Sequence, residues 1–437
     1  MSKQIKNQKE ILEKLGIEQL NPMQEEARLA IHSATEVVVL SPTGTGKTLA
    51  FLLPIIEELD EKLEEVQALI ITPTRELTIQ IEQVIREMGT GYKVDSAYGG
   101  RSFSKDKIAL KHRPAILVGT PGRVAAHLRR TTFSAENIRT LVLDEFDKSL
   151  EVGFEDEMSE IVEALPNVEK KILTSATKSS DMPEFVGLRK PVFVDYLDQG
   201  VPKLTIKKVI SPNKDKMETL FKTLCHLGNQ PGIVFCNFKD SIQRLSDYLT
   251  EKGISHGCFY GGLEQNDREQ ALIKFRNGTH QIIIATDLAA RGIDVSEIKF
   301  IIHYHLPLRA EEFTHRNGRT ARMHNKGTAY VLQWENEFLP DFIGHLEEEF
   351  LEETAVPQPS SWETIFISGG RKDKISKGDI AGTFFRQAGL KKEELGIIEL
   401  KNDCAFVAVA ASRANYVVEK LDNIRLKKKK VRVRILE

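Results

Sequence analysis

The chain has 437 residues, 41% hydrophobic and 28% charged, which is length for two or three domains and excludes a chain too polar to bury a core. No apolar run approaches the ~20 residues that cross a bilayer; the polar start MSKQIKNQKE lacks a secretory signal's apolar stretch, so membrane and exported classes are excluded and a cytoplasmic protein is expected. The net charge of −2 averages a division: residues 362–437 hold 17 Lys/Arg against 10 Asp/Glu, a basic tail on an acidic body, as suits a partner with a phosphate backbone.

In chain order, Val37–Leu40, Ala68–Ile71, Ala115–Val118, Leu141–Leu143 and Lys171–Leu173 are short apolar runs, with helical spacing between them at Glu76–Met88 and Arg123–Arg130. Buried strands alternating with helices predict a parallel sheet covered on both faces, with its functional residues beyond the carboxyl ends of the strands. The first run leads into Ser41-Pro42-Thr43-Gly44-Thr45-Gly46-Lys47-Thr48 and a helical segment. Glycines there let backbone N–H groups close around phosphates at a helix N-terminus, Lys47 reaches the β/γ-phosphates, and Thr48 holds Mg²⁺. Ser41 stands where the general phosphate-loop signature has Gly. The run Leu141–Leu143 ends in Asp144-Glu145-Phe146-Asp147. There Asp144 positions Mg²⁺ through water, and Glu145 orients and deprotonates the attacking water.

Asp195 to Lys208, with Gly200 and Pro202, breaks the rhythm and is expected to be a linker. The alternation restarts with Gly232–Phe235, Ile282–Ala285, Phe300–Ile302 and Ala329–Leu332, giving a second α/β domain. In it, Arg319 and Arg322 share one face if their segment is helical, and guanidinium forks suit the charge on a transferring phosphoryl group. Pro357–Ser361 marks another boundary, so the expected domains are 1–200, 205–356 and 362–437. The four cysteines (Cys225, Cys236, Cys258, Cys404) have no metal-site spacing and read as incidental thiols. The tail reads strand, helix, two strands, helix, strand, an order that predicts a small α+β, RRM-like sheet. Phe366 and Phe406 fall on its central strands, where they either stack bases or belong to a core. Arg371, Lys372, Lys374, Lys377 and Lys427–Lys430 supply its basic surface.

Taken together, these motifs resemble those of the DEAD-box helicases, in that family's order, over roughly residues 10 to 350. Gly16-Ile17 and Pro22-Met23-Gln24 resemble the adenine-reading Q motif. Pro73-Thr74-Arg75-Glu76-Leu77, Gly99-Gly100 and Thr120-Pro121-Gly122-Arg123 resemble RNA-contacting elements, and Ser175-Ala176-Thr177 the tripeptide coupling nucleotide state to strand separation. Ala285 to Asp294 is similar to the fifth motif, and His315 to Arg322 to the sixth. The resemblance implies two tandem RecA-like parallel-sheet domains, with Gln24, Thr43, Gly44, Thr45, Gly46, Lys47, Thr48, Gly292 and Asp294 around ATP and Mg²⁺. It also implies catalytic roles for Lys47, Asp144, Glu145, Arg319 and Arg322, and coupling through Ser175 and Thr177. RNA contacts fall to Arg75, Thr120, Gly122, Arg123 and Thr286, mostly on phosphate and sugar, with Arg371, Lys372 and Lys374 from the tail. The tail, with Gly-Asp-Ile-Ala-Gly at 378–382, is similar to the RNA-binding domain of DbpA-type helicases. That implies an RNA helicase acting on ribosomal RNA or pre-ribosomal particles during large-subunit assembly.

Two departures stand out. The first fifty residues hold no Phe, Tyr or Trp to stack on adenine, so Gln24 is left to read the base. Phe146 stands where the family has Ala, so its neighbours are expected to be trimmed around the ring. The alternatives are an RNA chaperone or clamp with impaired ATP turnover, a DNA helicase, and, for the tail, a generic basic anchor.

Overall fold

The computed structural model describes residues 7–151, 153–178, 182–198, 204–287, 298–320 and 327–436. They form two compact units, one reaching as far as Pro202 and the other beginning after it and including the tail.

In the first unit, helices α1 (Gln8–Leu15) and α2 (Pro22–Ser33) each start on an asparagine whose side chain accepts from the third helical N–H, with Glu10 or Gln24 closing the box. Then come β1 (Glu36–Leu40), α3 (Lys47–Glu58), β2 (Ala68–Ile71), α4 (Arg75–Met88), β3 (Val94–Ala97), α5 (Phe103–Ala109), β4 (Ile116–Gly119) and α6 (Pro121–Arg129). The unit ends with β5 (Thr140–Leu143), α7 (Phe146–Glu151), α8 (Glu155–Glu163), β6 (Lys170–Ser175) and β7 (Val192–Asp195). The seven strands are all parallel, in the order β3-β4-β2-β5-β6-β1-β7. Alternate residues of β1 serve two cores: Val37 and Val39 pack with α2, α3 and α4, while Val38 and Leu40 pack with Val124, Phe146 and Ile161. Burial on both faces is why these strands read as unbroken apolar runs rather than alternating ones.

The second unit repeats that plan. β8 (Leu204–Ser211), α9 (Met217–Leu227), β9 (Gly232–Phe235), α10 (Lys239–Glu251), β10 (His256–Phe259), α11 (Gln265–Arg276) and β11 (Ile282–Ala285) come first. They are followed by β12 (Phe300–His303), α12 (Ala310–Asn317), β13 (Gly327–Trp334) and β14 (Glu347–Glu348). The order β10-β11-β9-β12-β13-β8-β14 reproduces that of the first sheet, strand for strand. The expected linker is partly wrong, because residues 204–208 begin β8, which pairs with β13 along its full length. Its lysines, Lys207 and Lys208, disguised a strand that is only half covered.

The tail forms β15 (Trp362–Ile367), α13 (Lys377–Gln387), β16 (Leu395–Leu400), β17 (Ala405–Ala410), α14 (Ala414–Leu421), the hairpin β18 (Arg425–Leu426) and β19 (Lys429–Lys430), and β20 (Val433–Ile435). Its antiparallel order β16-β17-β15-β20 is the RRM-like sheet that the sequence predicts. One face packs on α13 and α14 through Ile365, Val407, Phe384 and Val417. The other is covered from within the unit, where Phe406 and Leu436 close over Ile273 of α11, with Phe366 against them. Polar contacts frame that seam. Arg276 Nη2 donates to both Glu399 oxygens at 3.0 and 2.8 Å, Asn277 Nδ2 donates to Thr364 Oγ1 at 3.2 Å, and Thr279 and Thr364 hydroxyls meet at 2.7 Å. Burial alone would raise the Glu399 carboxyl, but Arg276 and Lys401 hold it below the usual range. Phe406 is therefore a docking residue, 8% exposed, and not a base-stacking platform.

Candidate functional site

The sheet order assembles the first unit's polar centre. β6 lies between β5 and β1, so the glycine loop after β1 and the acidic turn after β5 flank the end of β6 at Ser175. The Ser41 N–H donates to Ser175 O at 3.1 Å. Gly44 and Gly46 have φ of 84° and 86°, the left-handed region open to glycine, and α3 starts on Gly46 with no side-chain cap. The helix thus leaves its first N–H groups to a phosphate. A Cβ on Gly46 would come within 2.3 Å of Gln24 Nε2, so any larger residue would have to displace the Gln24 amide from the loop.

Side chains already hold this loop. Gln24 Nε2 donates to Gly46 O at 3.2 Å, Asn21 Nδ2 to Thr45 O at 2.9 Å, and Lys47 Nζ to Pro42 O at 3.0 Å and to Ser41 O. Burial pushes the Lys47 ammonium down to about 8, against the pull of Glu145 and Asp144. Thr43 and Thr48 lie in the same loop-to-helix turn, partly exposed.

Burial, with Glu145 beside it, pushes the Asp144 carboxyl up to about 6, while the Thr174 hydroxyl donates to its Oδ1 at 2.5 Å. Glu145 has φ of 49°, an unusual conformation for a side-chain-bearing residue, and its N–H donates to the same Thr174 hydroxyl at 3.1 Å. Its Oε2 lies 2.6 Å from Nζ of the fully buried Lys148. Asp147 Oδ2 accepts from Thr177 Oγ1 at 2.7 Å, and Thr177 N–H donates to Ser175 Oγ at 2.9 Å. The acidic turn and the Ser175–Thr177 tripeptide therefore form one bonded unit. Phe146 packs into the core, fully buried.

The expected RNA-contact residues gather beyond the ends of β2, β3 and β4. Arg75 starts α4, and its Nη2 would be 3.2 Å from a Cβ on Gly99, so that glycine leaves room for the guanidinium. Thr120 and Gly122 sit at the start of α6. Arg123 is already engaged, its Nε 2.8 Å from Asp106 Oδ2 and its Nη2 2.9 Å from Arg101 O.

In the second unit Thr286 follows β11, and Asp287 next to it binds Arg316 through two 2.6 Å contacts. Arg316 also donates to His305 O at 2.7 Å and Asn237 Oδ1 at 2.8 Å, and is 1% exposed. Arg319 is buried three residues on, in a turn, because α12 ends at Asn317 with Gly318 as its C-cap; the face it would share with Arg322 if the segment were helical runs outside the described residues. Arg322, Gly292 and Asp294 lie outside the described residues. In the tail, Lys427 pairs with Asp379 and Lys429 with Asp373, each at 2.8 Å, which brings the β18–β19 hairpin beside Arg371, Lys372 and Lys374. Lys374 and Lys427 adopt φ of 60° and 56°.

Sequence reading missed Asn21, Asp106, Lys148, Thr174, Asp287 and the anchoring role of Arg316. Asp147, Asp287 and Arg316 stood inside recognised motifs and could have been singled out. Asp106 and Thr174 carry no local signal.

Comparison with known proteins covers all three segments. Residues 21–185 match the DEAD/DEAH box helicase family, 215–324 the helicase conserved C-terminal domain, and 364–435 the DbpA RNA binding domain. The ATP-dependent RNA helicase DbpA of Bacillus subtilis is 31% identical over 97% of this chain and 96% of its own length, and that of Escherichia coli 32% over 98% and 96%. Among solved structures, S. cerevisiae Dbp5 bound to RNA and ADP BeF3 is similar, with a TM-score of 0.69 and 26% identity over 76% of this chain and 88% of that one.

Proposed function

The chain belongs to the DEAD-box ATP-dependent RNA helicases of the DbpA type, and from that membership we propose how its own residues divide the work and which RNA it serves. The activity is RNA-dependent ATP hydrolysis coupled to RNA remodelling. ATP phosphates enter the α3 N-terminus and the Gly44–Gly46 loop, which displaces the carbonyls that Lys47 now holds and turns its ammonium to the β/γ-phosphates. Gln24 reads the base. Thr48 and Asp144 supply the hard oxygen donors that Mg²⁺ prefers, and the Asp144 carboxyl, raised by burial, is one that a cation returns to its ionised form. Mg²⁺, when bound, neutralises charge on the phosphate oxygens. Glu145 orients and deprotonates the attacking water. Arg319, with Arg322, stabilises the transferring phosphoryl group once the second unit closes on the first, and Gly292 and Asp294 complete the nucleotide pocket.

The observation that carries this division is the bonded chain Asp144–Thr174 and Asp147–Thr177–Ser175 at the end of β6. It joins the hydrolytic acids to the tripeptide that couples hydrolysis to strand separation. RNA lies along Arg75, Thr120, Gly122 and Thr286, contacted through phosphate and sugar, with Arg123 on the same edge.

The tail selects the RNA, which we take to be ribosomal RNA of the large subunit during its assembly in the cytoplasm. With the sheet face docked on α11, the face left to RNA is the basic one of Arg371, Lys372, Lys374, Lys427 and Lys428. Its support is the surplus of charge, the two ion pairs that gather these residues, and two lysines kept where glycine would be less strained. The test is ATP hydrolysis by the wild type and Glu145→Gln, with large-subunit ribosomal RNA and with an unrelated structured RNA of equal length. Strong stimulation by the first RNA alone, lost in the variant by about 10²–10⁴-fold, is expected. Equal stimulation by both removes the ribosomal assignment, and no turnover by a folded, RNA-bound wild type makes the protein a clamp.

A further inference from the structure

At the edge of the first unit read as RNA-facing, a buried carboxylate and the ring of Phe103 beside it gather three arginines. Asp106, 2% exposed, receives Arg123 through Nε at 2.8 Å and through Nη2 at 2.7 Å. Its Oδ2 also lies 3.3 Å from Nε2 of the fully buried His127, which is held from its other nitrogen by the Thr132 hydroxyl at 2.8 Å. His127 stacks on Phe103 with centroids 4.3 Å apart and planes 17° from parallel, and the Arg123 guanidinium carbon lies 4.9 Å from the same ring. Arg123 is thus fixed on every side. Its charge is matched at contact distance, its second nitrogen is used by Arg101 O, and its side chain is only 15% exposed.

The other two arginines differ. Arg101 is 3.6 Å from Asp106 Oδ1, a looser contact, and its side chain is 34% exposed over the Tyr98 ring. Arg130, exposed just past the end of α6, lays its guanidinium carbon 4.3 Å from the centre of Phe103, while its neighbour Arg129 is turned to Glu160. Asp106 is matched at contact distance by Arg123, so Arg101 shares it only loosely, and Arg130 is held by the Phe103 ring rather than by the carboxylate. Stacking on aromatic rings orients both without using the N–H donors that a phosphate needs.

We propose that Arg101 and Arg130 are RNA-phosphate ligands of the first unit, and that Arg123 is a positioning residue, a strut that Asp106 locks between α5 and α6. The assignment rests on the reading that this edge receives RNA, and it changes which side chains on that edge do so. Two cations, one just before α5 and one just past α6, give a single strand two points of attachment. Arg123 in turn keeps the junction, and with it Thr120 and Gly122, in place.

The test is binding of a single-stranded oligoribonucleotide to the full chain with a non-hydrolysable ATP analogue, followed by fluorescence anisotropy over a salt series. Each phosphate ligand contributes about 0.7 to the slope of log affinity against log salt for single strands. Arg101→Gln and Arg130→Gln should each flatten the slope by about 0.7 and weaken binding about fivefold at 0.1 M salt. Arg123→Gln should lower the melting temperature and leave the slope unchanged. The proposal is overturned if neither Arg101→Gln nor Arg130→Gln changes the slope, or if a folded Arg123→Gln protein loses a full contact. If Arg123→Gln does not fold, the other two variants still decide. Arg75→Ala separates the levels. Should it flatten the slope while Arg101→Gln and Arg130→Gln do not, only this assignment falls; should all three leave it unchanged, the reading of the edge as an RNA contact falls with it.

Discussion

The two seven-stranded sheets have the same strand order, yet among the described residues only the first follows its opening strand with a glycine loop. In the first, β1 runs into a loop with two left-handed glycines and a lysine at the head of α3. In the second, the corresponding β8 ends in Ser-Pro-Asn-Lys-Asp-Lys, without glycine, and the lysine just before α9 is Lys216. Lys216 is also buried, but its Nζ donates to Leu332 O at 2.8 Å and pairs with Glu337 at 3.2 Å, so it ties the strand end shut. The fifth strand shows the same contrast. β5 delivers Asp144 and Glu145, whereas β12 leads into His303-Tyr304-His305, and the acid Asp287 beyond β11 is tied to the buried Arg316. A common fold sets where functional groups can stand, and the loop residues decide whether they meet a ligand or each other.

That contrast can be broken at several points. The largest effect is expected for Asp287→Asn, which strips the anionic partner from a buried arginine. It should destabilise the second unit by about 3–5 kcal/mol in denaturant unfolding, with ATP affinity retained. Phe146→Ala should cost about 3 kcal/mol by leaving a cavity under the acidic turn, while RNA-stimulated turnover per folded molecule survives; loss of turnover in a folded variant would give the ring a part in the chemistry. The two lysines then form a direct pair. Lys47→Ala should lower turnover by about 10²–10³-fold, whereas Lys216→Ala should cost about 1–3 kcal/mol of stability and leave the KM for ATP alone.

Within a single pH unit, the smallest effect is on pH. Burial, with Arg316 nearby, pushes the His303 imidazole down to about 3. Between about pH 3 and 6.5 the unfolded chain therefore binds more protons at this site, and stability falls with acid by up to about 1.4 kcal/mol per pH unit in that window. His303→Gln should flatten that dependence in thermal melts, and an unchanged slope would place the acid sensitivity elsewhere.

The chemistry was more legible than the framework. Lys47, Thr48, Asp144 and Glu145 could be read because glycine spacing and an acid at a strand end are local signals. The central strands were legible because burial on both faces makes them uniformly apolar. β3, β7, β8, β10 and β14 were not, since edge strands such as Val94-Asp95-Ser96-Ala97, and Leu204–Ser211 next to the two-residue edge strand β14, mix polar residues into their runs. Pairings across distance were invisible too, such as Arg316 with Asp287, 29 residues apart, or Arg123 with Asp106, 17 apart. Nor could the tail aromatics be resolved, because a phenyl ring that stacks on a base and one that seats on a neighbouring helix look alike in sequence.

The seam between the tail and α11 bears on how this protein should be dissected. A chain ended before Trp362 would not be the same motor merely shorn of the segment that matches the DbpA RNA binding domain. It would carry an oily scar at Ile273 and an arginine, Arg276, deprived of Glu399, on the helix just upstream of β11 and Thr286. Such a fragment invites clumping, and a fall in its activity would be misread as loss of RNA selection unless Ile273 and Arg276 were first made hydrophilic and neutral.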